Sequence, residues 1–318
     1  MRVVIIGQAA FGEAVYKALA DAGEEVVGVC APATREGARP DPLRAAAEER
    51  GLTVLETRAL RDPSVFQSYA AWRPDLLVMA FVTDILRFNV LEAPAHGAIQ
   101  YHPSLLPRHR GNSAINWAII WGETKTGLTI FWTDEGIDTG PVLLQHEVEI
   151  GADDTTGSLY FNKLFPLGVE AIVEAVKMVR LGTAPRLEQD EWLATYERPC
   201  RDEEAKIDWS RPAGETYNLI RACNPQPGAW TTRAGEILKI FDCERGPGRP
   251  HPSPLPQGEG EKEAKPGEVL AIDADGVDIA LPRATLRLKR VQAPGAAKVA
   301  AQQYAAESGL EIGDRLGT

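Results

Sequence analysis

The chain of 318 residues contains no run of about 18 consecutive apolar residues, the length that a membrane-spanning helix needs. Residues 1–7 include an apolar stretch that is too short for a secretory signal peptide. The four cysteines form neither a CxxC pair nor a metal-like spacing, which is typical of reduced thiols. These absences predict a cytoplasmic protein and argue against export and membrane insertion.

Several sequence signatures of catalysis are also missing. No GxSxG motif occurs, so a covalent acyl-enzyme is not expected. No spaced set of His, Cys, Asp and Glu suits a catalytic metal, so we predict none. Gly7 and Gly12 bracket a strand-to-helix loop, but Ala9 replaces the middle glycine of dinucleotide-binding loops. We therefore expect a tight structural turn there and no NAD site.

Positive charge is scarce, since the formal net charge is −11. Lys and Arg side chains supply most of the affinity for nucleic-acid phosphates, so a broad nucleic-acid surface is not expected. One local basic patch, Arg108, His109 and Arg110, remains. It could contact an anionic partner or simply be a solvated loop, and the sequence favours neither.

Apolar strand-like runs alternate with helical patterns over residues 3–6, 11–22, 25–29, 42–50, 53–55, 64–72 and 75–80. This alternation is typical of βαβ units and predicts an α/β fold with a Rossmann-like, mainly parallel sheet. Alternating runs at 236–241, 268–272, 276–280 and 285–291 predict a smaller C-terminal OB-like β-barrel.

The predicted domain division has three parts. Residues 1–188 form a catalytic domain, 189–205 a connector, and 206–318 the barrel-like domain. Residues 246–266 are rich in Pro, Gly and charge, so they cannot form a packed core and are predicted to be an exposed, flexible insertion.

The most informative stretches are residues 100–111 and 134–140. His102 ends an apolar run before Pro103, so its imidazole is expected at the carboxyl end of a strand, where open α/β sheets bind ligands. Asp138 follows another apolar strand within a Gly-flanked turn, and two strand ends can bring the pair together. A carboxylate orients the ring as an acid toward a developing oxyanion. Alternatively, His102 is a satisfied core histidine and Asp138 only closes a turn.

The pattern HPSLLP-(x)2-RG at 102–111, with D-x-GIDTG at 134–140, resembles the signature of the folate-dependent formyltransferase family. Residues 1–12, 101–111, 113–117 and 130–132 are most similar to the hydrolase domain of 10-formyltetrahydrofolate dehydrogenase within that family. Residues 206–209 and 224–230 resemble the C-terminal domain of methionyl-tRNA formyltransferases. The resemblance implies that His102 and Asp138 are catalytic.

Gln100 departs from this family pattern. The transferases usually carry Asn at this position, where its amide helps to hold the formyl oxygen. The Gln amide is the same donor on a longer stem, so it could serve the oxyanion or merely face solvent.

The resemblance also implies a folate-binding set around the loop that holds the pteridine ring. Its members are Phe81, Val82, Asp84, Leu86, Thr133, Asp134 and Gly136. For the apolar members of loop 81–86, plain core packing is the alternative.

Several acceptors for the formyl group of 10-formyltetrahydrofolate stay open. Water would give formate and tetrahydrofolate, whereas an amine acceptor would be a small amine, an amino sugar or charged initiator tRNA. tRNA is not favoured, because residues 31–42 are short and nearly balanced in charge where methionyl-tRNA formyltransferases carry a basic insertion. A folate-binding protein without turnover is the remaining class, and the oligomeric state is not predicted.

Overall fold

The computed structural model describes residues 1–246 and 264–317, so most of the predicted insertion at 246–266 lies outside the described residues. The chain divides into two compact units. The first comprises Met1–Ala114, Lys125–Glu149 and Tyr160–Glu197, and the second Ile115–Thr124, Ile150–Leu159 and Arg198–Thr318.

The first unit is built on a seven-stranded sheet with helices between its strands. Its strands are β1 Arg2–Gly7, β2 Glu25–Ala31, β3 Val54–Glu56, β4 Leu76–Ala80, β5 Ala98–His102, β7 Lys125–Trp132 and β8 Val142–Glu149. The two short strands β6 Arg110–Gly111 and β9 Tyr196–Glu197 pair with each other and not with this sheet. Its helices are α1 Ala9–Asp21, α2 Pro42–Glu49, α3 Pro63–Ala71, α4 Phe88–Glu92 and α7 Phe165–Arg180, with 3-10 turns at Arg58–Arg61 and Glu191–Leu193 and a π-helical turn at Tyr160–Leu164. Helix α5, Ala114–Ile120, begins at the last residue of the unit's first segment, and α6 is Thr156–Leu159.

Local chemistry explains where the helices of this unit begin. In α2 and α3 a proline occupies the first turn, where its missing N–H is not needed. The preceding Asp41 and Asp62 accept hydrogen bonds from the backbone N–H of Leu43 (2.9 Å) and Ser64 (2.8 Å).

The strand order of this sheet is β3-β2-β1-β4-β5-β7-β8. The pairs from β3 to β5 are parallel, whereas β5 with β7 and β7 with β8 are antiparallel. The predicted α/β fold with a mainly parallel sheet is therefore confirmed. The chain passes from β1 to β2 and β3 on one side and then to β4 on the other, so a topological switch point lies between β1 and β4.

The loop after β1 is shaped by close packing. A Cβ on Gly7 would lie 2.4 Å from the carbonyl oxygen of Ala80, and one on Gly12 would lie 3.1 Å from Leu43. Ala9 has a positive φ of 57° and its N–H donates to Asp41 at 2.8 Å. This geometry is that of a tight turn packed between β4 and α2.

The second unit contains a separate antiparallel sheet around its own apolar core. The strands are β10 Ala229–Arg233, β11 Glu236–Arg245, β12 Val269–Asp273, β13 Gly276–Leu281, β14 Ala284–Gln292 and β15 Val299–Ala300, with helices α8 Ala213–Ala222 and α9 Ala301–Ser308. The order is β10-β11-β14-β13-β12, and β15 pairs with β14. Residues 313–317 bridge its two edges, because the N–H of Leu316 donates to Gly267 (2.9 Å) and that of Gly317 to Thr232 (2.8 Å).

Among the described residues, no helix is both long and apolar enough to cross a membrane. All four cysteines are free, and the sulfurs of Cys200 and Cys223, both in the second unit, lie 3.9 Å apart.

Candidate active site

Strand β5 presents Gln100 and His102 on the same face of the sheet, because alternate residues of a strand point the same way. Gln100 pairs with Phe131 and His102 with Thr129 on the antiparallel neighbour β7. His102 is buried and only 4% exposed, while Gln100 is half-buried. Pro103 follows immediately, so the strand ends at the imidazole.

Asp138 reaches His102 by a route that differs from the expected meeting of two strand ends. Strand β7 runs antiparallel to β5 and ends at Trp132, which pairs with Ile99. The end of β7 is thus three residues from His102, or roughly 10 Å at the usual rise of a strand. The loop 133–141 folds back and places Asp138 beside the imidazole. The expectation of adjacent strand ends was wrong, although the two side chains do meet.

The hydrogen bonds of His102 define its tautomer. Its Nε2 lies 2.8 Å from the carbonyl oxygen of His109, and a carbonyl only accepts, so Nε2 carries a proton. Its Nδ1 lies 3.5 Å from Asp138 Oδ2, with side chains 5% and 7% exposed. The nitrogen left for chemistry is therefore Nδ1, which can donate when the ring is protonated on both nitrogens.

Asp138 is held from several sides. Its Oδ2 accepts from the N–H of Gly111 at 2.8 Å, and its Oδ1 lies 3.4 Å from the amide Nε2 of Gln100. Its φ of 57° is in the left-handed region, which Asp tolerates better than most residues. The three predicted catalytic residues, Gln100, His102 and Asp138, thus form one cluster. The contacts of Asp138 with Gln100 (3.4 Å) and His102 (3.5 Å) are both long.

Gln189, which the sequence did not indicate, holds the Asp138 loop and is itself held by Arg110. The amide of Gln189 donates to the carbonyl oxygens of Asp138 (2.9 Å) and Gly140 (2.7 Å). Its oxygen accepts from the guanidinium of Arg110 at 2.8 Å. The Arg110 side chain is fully buried, and its hydrogen bonds to Glu191 raise its pKa above the ordinary value. No short motif marks Gln189, since its role depends on a partner 51 positions earlier.

The basic patch at 108–110 does not form a positively charged surface. Arg108 is exposed, but His109 and Arg110 are buried, at 2% and 0%. His109 Nδ1 lies 3.1 Å from Glu197 Oε1. Glu191 and Glu197, which lie far along the chain, pair with Arg110 and His109. The segment 108–110 by itself therefore gives a false impression of a basic surface.

The predicted pteridine loop lies at the carboxyl end of β4, beside the switch point. Phe81 has a φ of 61° and is 44% exposed, whereas Val82 and Leu86 pack against an apolar cluster of the core. Asp84 accepts from the Arg58 guanidinium at 3.0 Å. The described contacts of this loop are thus with core residues and the Arg58 turn.

Thr133, Asp134 and Gly136 shape the loop that carries Asp138. The N–H of Thr133 donates to Ala98 at 3.0 Å, and Thr133 also lines an open cleft of about 590 Å³. Asp134 Oδ1 accepts from the N–H of Gly136 (3.0 Å) and the hydroxyl of Thr139 (2.6 Å). A Cβ on Gly136 would lie 2.0 Å from that hydroxyl oxygen, so any other residue there would displace the Thr139 side chain. Within residues 1–246 and 264–317, no group of three or more His, Cys, Asp or Glu could hold a metal.

Comparison with known proteins identifies the family of this chain. Residues 1–176 match the family described as formyl transferase, and residues 200–309 match its C-terminal domain. The chain belongs to the formyl transferase family.

Two curated relatives represent different branches of similarity. Cytosolic 10-formyltetrahydrofolate dehydrogenase from Mus musculus is 44% identical over 247 residues, which are 76% of this formyl transferase chain. That match covers 27% of the dehydrogenase, so this chain spans about a quarter of that relative. Methionyl-tRNA formyltransferase from Geobacter metallireducens is 34% identical over 322 residues, covering 100% of this chain and 99% of the relative.

Solved structures show the same fold at lower identity. HypX from Aquifex aeolicus, in complex with tetrahydrofolic acid, has a TM-score of 0.68 at 20% identity and covers 98% of this chain and 48% of its own. WlaRD, a sugar 3N-formyl transferase, has a TM-score of 0.66 at 16% identity and covers 93% and 99%. At these identities the likeness supports the fold alone.

Proposed function

We propose that this formyl transferase removes the formyl group from 10-formyltetrahydrofolate and transfers it to water, giving formate and tetrahydrofolate. The observation that carries the proposal is the cluster of Gln100, His102 and Asp138. It combines a carboxylate that can take a proton, an imidazole nitrogen that can donate one, and an amide donor within 3.4–3.5 Å of that carboxylate.

The proposed reaction uses these groups in sequence. Asp138 takes a proton from water as the water oxygen bonds to the formyl carbon. His102 donates from Nδ1 to the formyl oxygen as it gains negative charge, and the Gln100 amide adds a second donor. The intermediate then collapses: the bond between the formyl carbon and N10 breaks, N10 takes the proton that Asp138 had accepted, and the formyl oxygen returns its proton to His102. The long contacts around Asp138 suit this role, since catalytic hydrogen bonds often shorten only when substrate is bound.

The proposed folate site lies at the switch point between β1 and β4. Ligands of open α/β sheets bind outside the carboxyl ends of the strands at such a point. The loop 81–86 follows β4 there, and Gln8 Nε2 lies 3.5 Å from Thr83 Oγ1 across the two loops. We assign the pteridine ring to the backbone of Phe81, Val82 and Asp84, with Leu86 behind it. His102 ends β5, the parallel neighbour of β4, at the same edge.

Two observations bear on the acceptor. Water is favoured by the 44% identity to the dehydrogenase relative, against 34% to the methionyl-tRNA formyltransferase. An amine acceptor is the second candidate, because only the latter match extends over the whole chain. The net charge of −11 weighs against tRNA as that acceptor.

The decisive experiment measures tetrahydrofolate release from 10-formyltetrahydrofolate by the purified protein without an added acceptor. His102→Ala is the control, and the assay is repeated with small amines, amino sugars and charged initiator tRNA. Release that needs no acceptor and disappears in the variant supports the hydrolase. Release that needs one acceptor identifies a transferase, and folate binding without any release overturns the catalytic proposal.

A further inference from the structure

A second carboxylate–imidazole pair is buried next to the first. His109 Nδ1 lies 3.1 Å from Glu197 Oε1, and the two side chains are 2% and 4% exposed. Neither residue has a step in the reaction proposed above. A buried carboxylate is strongly destabilising unless it is paired and hydrogen-bonded, so Glu197 must be held by its partners.

The main chain of His109 is the link to the catalytic residue. Its carbonyl oxygen accepts the 2.8 Å hydrogen bond from Nε2 of His102. Its φ of 56° lies in the left-handed region, which is uncommon for residues other than glycine although His adopts it more readily than most. The direction of this carbonyl therefore depends on the contacts that hold His109 in this uncommon backbone conformation.

Those contacts come from one short segment. The N–H of His109 donates to Thr195 Oγ1 at 2.8 Å, and that hydroxyl donates to Glu197 Oε1 at 3.0 Å. Glu197 Oε1 also faces the His109 ring. Main chain and side chain of His109 are thus fixed by two residues of the same segment.

The hydrogen bonds of Glu197 are concentrated on one oxygen. In the described part of the chain, its Oε2 is buried and has no hydrogen-bond partner. The carboxylate is therefore oriented by the same two groups, His109 and Thr195, that it holds in place.

We propose that Glu197, acting through His109, is a positioning residue that fixes the tautomer of His102. The carbonyl of His109 keeps the proton on Nε2 and so leaves Nδ1 facing Asp138. If His109 relaxes, the carbonyl turns away and Nε2 loses its acceptor. The doubly protonated ring, from which Nδ1 donates, is then no longer held in place, and the neutral ring can adopt the other tautomer. The effect on turnover rests on the proposed function, whereas the effect on the tautomer does not.

The test compares two replacements of His109 that both tolerate a positive φ. His109→Gly removes the ring, whereas His109→Asn places an amide donor where Nδ1 was, within reach of Glu197. We expect His109→Gly to lower kcat by roughly tenfold with little change in KM, and His109→Asn to stay within about threefold of the original protein. Glu197→Gln, which removes the charge, should fall between the two.

A second readout follows the tautomer directly, in protein without folate. Nitrogen-15 NMR of the histidine rings, assigned with His102→Ala, should show His102 protonated at Nε2 in the original protein and a mixture of tautomers in His109→Gly. Glu24→Gln is the matched control, because Glu24 is 3% exposed and pairs with the N-terminus and Arg180. It should lower stability and leave the His102 tautomer and kcat unchanged.

Three results would overturn the proposal. They are an unchanged His102 tautomer in His109→Gly, an equal loss of kcat in His109→Gly and His109→Asn, and a tautomer change in Glu24→Gln. If the protein does not turn over 10-formyltetrahydrofolate at all, the proposed function fails, but the NMR comparison still decides the positioning role.

Discussion

Two carboxylate–histidine pairs of the first unit, His109–Glu197 and His102–Asp138, are buried but are held differently. His109 and Glu197 are 3.1 Å apart with a hydroxyl bridging to the carboxylate, whereas His102 and Asp138 are 3.5 Å apart. The His102–Asp138 pair is held by groups that face away from its partners. The carbonyl of His109 accepts from Nε2 of His102, and the N–H of Gly111 donates to Asp138. This difference is what we expect if His102 and Asp138 exchange protons with a substrate as proposed, since a pair fixed through its outer atoms leaves room for movement between the partners.

The largest expected effect comes from deleting the imidazole of the His102–Asp138 pair. His102→Ala should lower kcat/KM for tetrahydrofolate release by about 10²- to 10⁴-fold, the range for removing a general acid or base. His146→Ala is the matched control, since His146 on β8 lies 3.6 Å from Glu174 on α7 with side chains 38% and 57% exposed. Equal activity in both variants would remove His102 from the mechanism.

Replacing the carboxylate of the same pair should have the next largest effect. Asp138→Asn keeps a side chain that tolerates the positive φ and can still accept from Gly111, so the loop should keep its shape. It cannot take a proton from water, and we expect kcat to fall by about 100-fold. Thermal unfolding should be nearly unchanged, and a variant that unfolds early would instead point to a structural role.

The outer support of Asp138 can be removed without touching the pair. Gln189→Leu leaves the carbonyls of Asp138 and Gly140 without their donor, and we expect kcat to fall by roughly tenfold through misplacement of the loop. Gln189→Glu keeps the acceptor for Arg110 but loses the donor. If the donor matters, both variants should be impaired, whereas a defect in Gln189→Leu alone would assign the role to the Arg110 contact.

The fold was largely predictable because its signals are local. The alternation of apolar strands with helices through β1 to β4 required only patterns of a few residues, and Asp41 and Asp62 mark helix starts by residue type. The antiparallel direction of β7 could not be predicted this way, since a buried strand is apolar in either direction. The position of Asp138 followed from that direction, so its route to His102 was missed.

The support of the candidate site was unpredictable for a related reason. His109 and Arg110 read as surface charge when they are taken alone, yet their partners Glu197 and Gln189 come 88 and 79 positions later. Those partners lie in residues 189–205, which the sequence predicts as a polar connector. Polar composition is typical both of solvated linkers and of residues that neutralise buried charge, so composition cannot separate the two.

Gln100 offers a smaller test on the same face of the sheet. Its amide is held only by a long, 3.4 Å contact with Asp138 Oδ1, so it is less firmly positioned and should contribute less than a well-placed oxyanion donor. We expect Gln100→Leu to lower kcat by roughly tenfold, against the about 10²- to 10³-fold loss for such donors. Gln100→Asn keeps the amide on a shorter stem, and activity above that of Gln100→Leu would show that the donor itself contributes.

The smallest expected effect is on the pH dependence of stability, and it comes from Glu191, the exposed partner of Arg110. Hydrogen bonds from Arg110 lower the pKa of Glu191, whose side chain is 67% exposed. A carboxyl with a lowered folded-state pKa stabilises the fold above its ordinary value of about 4.3 and loses that contribution as the pH falls through the folded pKa. The Tm of Glu191→Gln should therefore be slightly below that of the original protein at neutral pH, and the difference should vanish in acid. A difference in Tm that persists in acid would mean that Glu191 acts through packing. The loop that carries Asp138 would then not depend on the charge of Glu191.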